Sequence, residues 1–533
     1  MSEINFYDWQ LDAFNYIKDK SAVLSAPTGS GKTLAAYLWA GILDLNGNIN
    51  KEINCRRIIF TAPIKALSNE RYLDLRRMGL DVGLETGDFK RNTNADIICC
   101  TQEIYTMKYA HVENQKLIVD EFHYIFDDSD RARMYIDGIK ATHETTQILV
   151  MSATLGGVRE VGKYLENLCG REFEIYESHE RATKLIFTPD KPAKISNIHD
   201  ALVFVFSQKG AERLALSIAQ TREKLDENLI NRLNELAEIL DINNFRNLED
   251  TLTRGVGTYH GGMLPKEKLL VESAFRERIL DVVCGTNALA LGVNLPAQYV
   301  IFAQLVQYHA GRPITKNEFL QMAGRAGRKG LFDPGYVTYL KKSPFEFFGA
   351  DTGKIFKTLV KKKSEKAVIT LRPSFGRLLR KQTLPEFEAE YIADYSLPEV
   401  KAKDILRGIK FNLRKIDRVA SEVVQHNSRK KFHDLLADIW YDEMEVEENL
   451  EMALLFFEES SPSALMAAQM VMPYERNFLQ ALLKVKRFAN QLPKGYYFRP
   501  SSMTELNNKI DEIDPTIYGF EEKLNEIEFT REA

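Results

Sequence analysis

Ala26-Pro27-Thr28-Gly29-Ser30-Gly31-Lys32-Thr33 is the stretch on which the fold turns. An apolar run, 21–26, leads into it, and residues 34–43 continue out of it with helix-forming composition. Glycines at 29 and 31 let backbone N–H groups approach an anion closely, at the positive end of a helix. Lys32 adds a point charge for the β and γ phosphates, and the Thr33 hydroxyl suits Mg²⁺. Pro27, Thr28, Gly29, Ser30, Gly31, Lys32 and Thr33 therefore read as a cradle for a nucleoside triphosphate. A strand, a phosphate loop and a helix in that order begin a parallel α/β sheet.

Further along, the runs 57–62, 96–101, 116–120 and 147–152 alternate with amphipathic stretches, which predicts a first α/β domain over 1–180. Asp120-Glu121-Phe122-His123 stands at the tip of one of these runs. A carboxylate there can hold Mg²⁺ through water, which assigns Asp120 beside Thr33 as a metal residue. Glu121 is then placed to orient and deprotonate an attacking water, and His123 to link the nucleotide site to a second domain.

The rhythm repeats at 202–207, 256–259, 281–284, 299–303 and 336–340, giving a second α/β domain over 181–345. A polar helical stretch near 211–250 separates its first two strands and reads as a surface insertion. In Gln321-Met322-Ala323-Gly324-Arg325-Ala326-Gly327-Arg328, the two arginines three apart are expected on one helical face. Small residues around them permit close approach, so Arg325 and Arg328 can reach a γ-phosphate as arginine fingers.

Composition agrees with a globular chain: 44% of its 533 residues are hydrophobic and 27% charged, which excludes global disorder and fibrous classes. Net charge is −4, so any positive potential for a polyanion must be local. The five cysteines, Cys55, Cys99, Cys100, Cys169 and Cys284, show no metal-ligand spacing and are expected as reduced thiols. No apolar run approaches the ~20 residues a bilayer requires, and the first residues lack a leader pattern; a cytoplasmic protein without membrane contact is expected.

With these residues in place, the sequence resembles the superfamily 2 DExH-box helicases, in their Ski-like (superkiller) branch, over about 6–340. Trp9 and Gln10 resemble that family's adenine-recognition motif. The segments 61–67, containing Pro63 and Lys65, 86–88, containing Thr86 and Gly87, and 101–103, beginning at Thr101, resemble its first-domain strand-binding motifs. Ser152-Ala153-Thr154 resembles the motif that couples hydrolysis to movement. In the second domain 204–207, 259–262 and 285–296 resemble the later motifs, in the family's order.

The resemblance implies two tandem RecA-like domains, ATP and Mg²⁺ as ligands, and a single-stranded or tailed duplex nucleic acid as partner. It implies that Gln321, Arg325 and Arg328 act in catalysis, that Gly292 and Asn294 join the nucleotide pocket, and that Ser207, His260, Gly261, Thr286 and Arg312 contact the strand. Hydroxyl and backbone donors in these loops suit sugar and phosphate contacts, which hold a strand without reading its sequence. The branch also implies 3′-to-5′ travel and a duplex-splitting β-hairpin, matched here by 300–306 and the turn His309-Ala310-Gly311-Arg312-Pro313.

Residues 346–533 are expected to form a mainly α-helical accessory region, with room for a compact winged-helix-like part. Lys403, Arg407, Lys410, Arg414 and Arg418 recur at helical spacing beside the apolar Leu406, Ile409, Leu413 and Ile416, a solvated face or a backbone contact. Acidic residues crowd 442–451 and 505–532, a solvated exterior or a surface for a basic partner protein. Three functions fit the chain: a helicase, a translocase that remodels complexes without separating strands, and a non-catalytic nucleic-acid-binding scaffold. Nothing in the sequence reads a ribose 2′-hydroxyl, so DNA and RNA both fit.

Overall fold

The apolar runs become the interior of two parallel sheets. The computed structural model describes residues 4–423 except 87–89, 128, 154, 241, 243–245, 264, 291–294, 296, 308–311, 344–350, 375–376 and 379–380. Gly87, Asp88, Thr154, Gly292, Asn294, the turn residues 309–311 and both acidic stretches thus lie outside the described residues.

The first sheet is built from β1 (Ala22–Ser25), β2 (Arg57–Ala62), β3 (Val82–Glu85), β4 (Lys90–Arg91), β5 (Ile97–Thr101), β6 (Gln115–Val119), β7 (Gln147–Ser152) and β8 (Glu174–Glu177). Their order is β4-β3-β5-β2-β6-β7-β1-β8, parallel throughout except the β3–β4 pair. Val23, Leu24, Ile58, Ile59, Ile118 and Leu149 are fully buried, because helices cover both faces and leave no wet side to alternate toward. Sequence patterning had indicated β1, β2, β5, β6 and β7. It missed β3, β4 and β8, which are short, and β8 is Glu-Ile-Tyr-Glu, a half-exposed edge strand.

The second sheet comprises β9 (Leu185–Phe187), β10 (Ala201–Phe204), β11 (Val256–Tyr259), β12 (Val282–Gly285), β13 (Tyr299–Phe302) and, after a small antiparallel pair β14 (Val306–Gln307) and β15 (Arg312–Pro313), β16 (Gly335–Tyr339). The order is β11-β12-β10-β13-β16-β9, all parallel. Chain leaves the first sheet from its edge strand β8 and enters the second at its edge strand β9.

Among the described residues three helices join β10 to β11, across the polar stretch near 211–250. The first, Gln208–Ala219, buries Ala211, Leu214, Ala215 and Ile218, one stripe at helical spacing, and is the crossover that a parallel pair requires. The second, Glu227–Ile239, buries Leu233, Leu236 and Ala237 in the core on the opposite face of the sheet, the one that holds Leu202 and Phe204.

Helix Lys316–Ala323 is fixed against the second sheet by Phe319, whose ring lies 4.9 Å from that of Phe302 and 5.5 Å from that of Phe356. Its start is set by a capping box: Thr315 Oγ1 accepts from Glu318 N at 3.1 Å, and Glu318 Oε2 accepts from Thr315 N at 2.6 Å. Phenylalanine packing and cap together aim the helix's last turn.

Both sheets belong to one compact unit, and Asp128–Arg133 with Val368–Thr516 form a second. In the second unit, helices Pro385–Tyr395 and Ala402–Val423 are described. Arg133 Nη1 donates to the buried Glu388 at 2.5 Å and its guanidinium stacks on Tyr391 at 4.1 Å. On the longer helix Ile409 is buried, whereas Lys403, Arg407, Lys410 and Arg414 are exposed. Arg407 pairs with Asp404 at 3.6 Å and Lys410 with Glu386 at 2.9 Å. The side chains of Ile416 and Arg418 lie outside the described residues.

Candidate nucleotide site and strand-facing loops

Strand β1 delivers the phosphate loop at the carboxyl edge of its sheet, where ligands bind parallel α/β folds. The loop closes through Ser30 N donating to Pro27 O at 3.1 Å, with Gly29 and Gly31 at φ 75° and 88°. Gly31 then caps α2 (Lys32–Ala40). From α1 (Asp8–Ile17), the fully buried Gln10 donates through Nε2 to Gly31 O at 2.7 Å and accepts from Tyr7 N at 2.8 Å. A Cβ on residue 31 would stand 2.7 Å from that Nε2, so the approach requires glycine.

Asp120 and Glu121 follow β6. The ladder runs on past the strand, Asp120 N donating to Thr61 O at 2.9 Å and Phe122 N to Met151 O at 2.8 Å. Between them Glu121 is held at φ 49°, a left-handed conformation that costs a non-glycine residue energy and is typical of a functional turn. The turn brings its Oε2 to Lys32 Nζ at 3.1 Å and to His123 Nδ1 at 3.3 Å. Burial alone would raise the Glu121 carboxyl, but the Lys32 charge and hydrogen bond, with His123 and Arg325, hold it down at about 2. Asp120 goes the other way: burial and the Glu121 charge raise it against the opposing pull of Arg71 and Lys32.

His123 carries the site across to the second sheet's domain. Its Nε2 lies 2.8 Å from Gln321 Nε2, and burial lowers its pKa to about 4, with Lys32 and Arg325 adding to the effect and Glu121 opposing it. A neutral ring with Nδ1–H donating to Glu121 leaves Nε2 to accept from the Gln321 amide. Nearby, a Cβ on Gly324 would come within 2.9 Å of Thr28 Cβ, so the end of helix Lys316–Ala323 rests on the phosphate loop.

The helix stops there, which corrects the expectation of two arginines on one helical face. Gly324 is its C-cap, Arg325 sits in the following turn and Arg328 in a bridge to Phe332, with Gly327 between them at φ 83°. Glycines at 324 and 327 do not sustain a helix, and Gly327 packs so closely on Thr183 that a Cβ would clash at 2.5 Å. Arg325 donates through Nη2 to Ala290 O, and its charge bears on Glu121, His123 and Glu70. The Arg328 side chain is exposed.

Three residues of the site were not read from sequence. Arg71, on α3 (Lys65–Arg77), donates through Nη2 to Asp120 Oδ2 at 3.2 Å and Thr33 Oγ1 at 3.4 Å, and through Nη1 to the Tyr37 hydroxyl at 3.0 Å. The signal was present: Arg71 falls between Ser68 and Leu75 on the buried face of α3, and a charge on a core face implies a partner. Glu70 precedes it, raised by burial and facing Arg71, Arg276 and Arg325. Arg181, in the segment joining β8 to β9, donates to Gly324 O at 3.2 Å and reaches within 3.4 Å of the Gly29 Cβ position; burial lowers its pKa to about 10. No local pattern could have paired Arg181 with residues more than a hundred positions away.

The residues to which strand contact is assigned cluster at the carboxyl edges of both sheets, with differing access. Lys65 and Gly261 are exposed, as is Ser207, whose Oγ caps helix Gln208–Ala219 through Gly210 N at 3.0 Å. Pro63, Thr86, Thr101, His260 and Thr286 are buried, His260 against Glu212 at 3.2 Å, so a strand would meet chiefly their backbone. Arg312 is exposed on β15 and pairs with Glu318 at 3.6 Å.

The family model for the DEAD/DEAH box helicase matches residues 7–161, and that for the helicase conserved C-terminal domain matches 190–330. The chain is similar to the exosome RNA helicase MTR4 of Homo sapiens, 25% identical over 504 residues, which cover 79% of this chain and 46% of the relative. It is similar to the probable helicase HelY of Mycobacterium tuberculosis, 25% identical over 503 residues, covering 78% and 54%. The chain thus spans about half the length of the curated relatives it matches. Among solved structures, the DUF1998 helicase MrfA bound to DNA and AMPPNP shares the fold with a TM-score of 0.50 at 20% identity, over 76% of this chain and 57% of that one.

Proposed function

Because the chain belongs to the superfamily 2 DExH-box helicases, in their Ski-like branch, we propose that it is an ATP-dependent motor that moves along single-stranded nucleic acid and unwinds duplexes. The observation that carries this reading is the unbroken chain from Lys32 through Glu121 and His123 to Gln321, with links of 3.1, 3.3 and 2.8 Å. It joins the phosphate loop of one domain to the helix that ends at the arginine-bearing turn of the other. Triphosphate held by Gly29, Ser30, Gly31 and Lys32 would draw Arg325 inward and tighten that chain; hydrolysis would release it. Arg328 joins Arg325 as a second finger on closure, and the family resemblance assigns Gly292 and Asn294, which lie outside the described residues, to nucleotide binding.

Mg²⁺ fits the donors present. Arg71 Nη2 bridges Thr33 Oγ1 and Asp120 Oδ2, so hydroxyl and carboxylate converge on one position suited to a cation. Thr33 and Asp120 would hold the ion, which when bound neutralises charge on the phosphates. Glu121, kept ionised, orients and deprotonates the attacking water.

The strand runs over Pro63, Lys65, Thr86, Gly87 and Thr101 of the first domain and Ser207, His260, Gly261 and Thr286 of the second, travelling 3′ to 5′. The antiparallel pair β14–β15, bearing Arg312, supports strand separation over translocation alone. An RNA helicase among the relatives and a fold relative bound to DNA support both nucleic acids as substrates. No described helix is long and apolar enough to cross a membrane, and all five cysteines are free thiols, which supports a reducing, cytoplasmic location.

The test is ATP hydrolysis by the purified chain with matched single-stranded DNA and RNA, alongside unwinding of a tailed duplex. Lys32→Ala and Glu121→Gln are expected to lower stimulated hydrolysis by about 10² to 10⁴-fold, the range of positioned acid–base groups. Wild-type protein that hydrolyses ATP no faster with either nucleic acid would overturn the reading.

A further inference from the structure

Helix α3 touches two functions at once. Its first residue, Lys65, and the preceding Pro63 belong to the strand-facing edge, and Arg71, six residues on and about 9 Å along the axis, grips the nucleotide side. The grip is specific. One nitrogen, Nη2, spans Asp120 Oδ2 at 3.2 Å and Thr33 Oγ1 at 3.4 Å, while Nη1 is tied to the Tyr37 hydroxyl at 3.0 Å. The guanidinium also lies over the Tyr37 ring, 5.7 Å from its centroid, and Asp74 one turn on pairs with it at 3.7 Å. Arg71 thus contacts the two oxygens to which Mg²⁺ binding is assigned, and its charge opposes a divalent cation there.

From this juxtaposition we propose that Arg71 is a positioning residue that couples strand contact to metal–nucleotide binding. Arg71 and the Mg²⁺ of a bound nucleotide compete for Asp120 and Thr33. Displacing the guanidinium shifts α3, and with it Pro63 and Lys65; a strand that pulls on those residues draws Arg71 away and favours the metal complex. The linkage is reciprocal, as any binding coupling must be. The inference rests on the nucleotide and strand sites proposed above and adds the part that joins them.

A merely structural Arg71, needed only to neutralise Asp120, predicts the opposite sign for one measurement. Removing a structural partner would disorder the ligands and weaken Mg²⁺ binding, whereas removing a competitor strengthens it. We therefore expect Arg71→Gln to lower the Mg²⁺ concentration for half-maximal binding of a fluorescent ADP by about five-fold or more, a readout independent of turnover. The ratio of strand-stimulated to basal ATP hydrolysis should fall toward one. Arg71→Lys keeps the charge but not the two-oxygen span, so its Mg²⁺ requirement should stay near wild type while the ratio still falls. Tyr37→Phe frees only Nη1 and guards against a misfolded Arg71→Gln; both quantities should move the same way by a smaller factor.

An unchanged or raised Mg²⁺ requirement in folded Arg71→Gln, or an unchanged stimulation ratio, overturns the coupling. Wild-type protein that binds fluorescent ADP but shows no stimulation by DNA or RNA overturns the motor reading, and the Mg²⁺ titration still decides whether Arg71 competes with the metal.

Discussion

His123 shows what burial asks of one side chain. Its ring faces Glu121 on one nitrogen and Gln321 on the other, and the neutral form can donate to the carboxylate while accepting from the amide. Burial lowers the pKa from 6.5 to about 4, so acid favours the unfolded chain, which takes up the proton first. Since the folded value lies below the unfolded one, stability is unaffected above pH 6.5 and falls as pH drops toward 4, by on the order of 3 kcal/mol in total. In an NMR titration of ring-labelled histidine the His123 resonance should have its midpoint near 4. A midpoint close to that of a free histidine would show the ring to be solvated and the link to Gln321 unformed. At this scale much was legible: a carboxylate pair and histidine at a strand tip announce their own chemistry. The left-handed turn that points Glu121 at Lys32 was not, because it is imposed by ladder bonds from β2 and β7.

Among the elements, helix Lys316–Ala323 depends most on where it ends. Gly324 has φ −61°, so the backbone tolerates alanine, whose smaller unfolded-state entropy favours it. The added methyl would instead meet Thr28 of the phosphate loop at 2.9 Å. Gly324→Ala should therefore leave the melting temperature within a few degrees and reduce strand-stimulated kcat about ten-fold, as expected when a catalytic contact is displaced by a fraction of an ångström. Unchanged kcat in a stable variant would mean that this contact has no part in closure. Sequence spacing suggested a helix continuing through Arg325 and Arg328, a fair inference from the three-residue interval alone. What it could not weigh was the pair of glycines, whose small size serves contacts with Thr28 and Thr183 more than 140 positions away. The same limit explains why long apolar strands were found and the half-exposed β8 was not: periodicity reports burial on a continuous face and says little about an edge.

For the molecule as a whole, the question is whether its two sheet domains act as one machine. If His123 and Gln321 communicate only through their mutual contact, His123→Ala and Gln321→Ala should be strongly non-additive in strand-stimulated kcat/KM. The expected interaction energy is about 0.5 to 3 kcal/mol, measured as a double-mutant cycle, and additive losses would argue that the residues work separately. Tandem parallel domains were readable because each carries its own βα rhythm and its own ordered loops. Their junction was not, since Arg181 finds its partners through folding alone. The path of that junction has a mechanical consequence. The connecting segment departs from the margin of one sheet and joins the margin of the other, tethered at Ser178 N to Ser25 O at 2.8 Å. Torque between the domains therefore enters at the edge strand β8 and passes through one ladder to β1, like a door whose hinge post also carries the lock, so strain at the junction is felt first by the strand that delivers the phosphate loop.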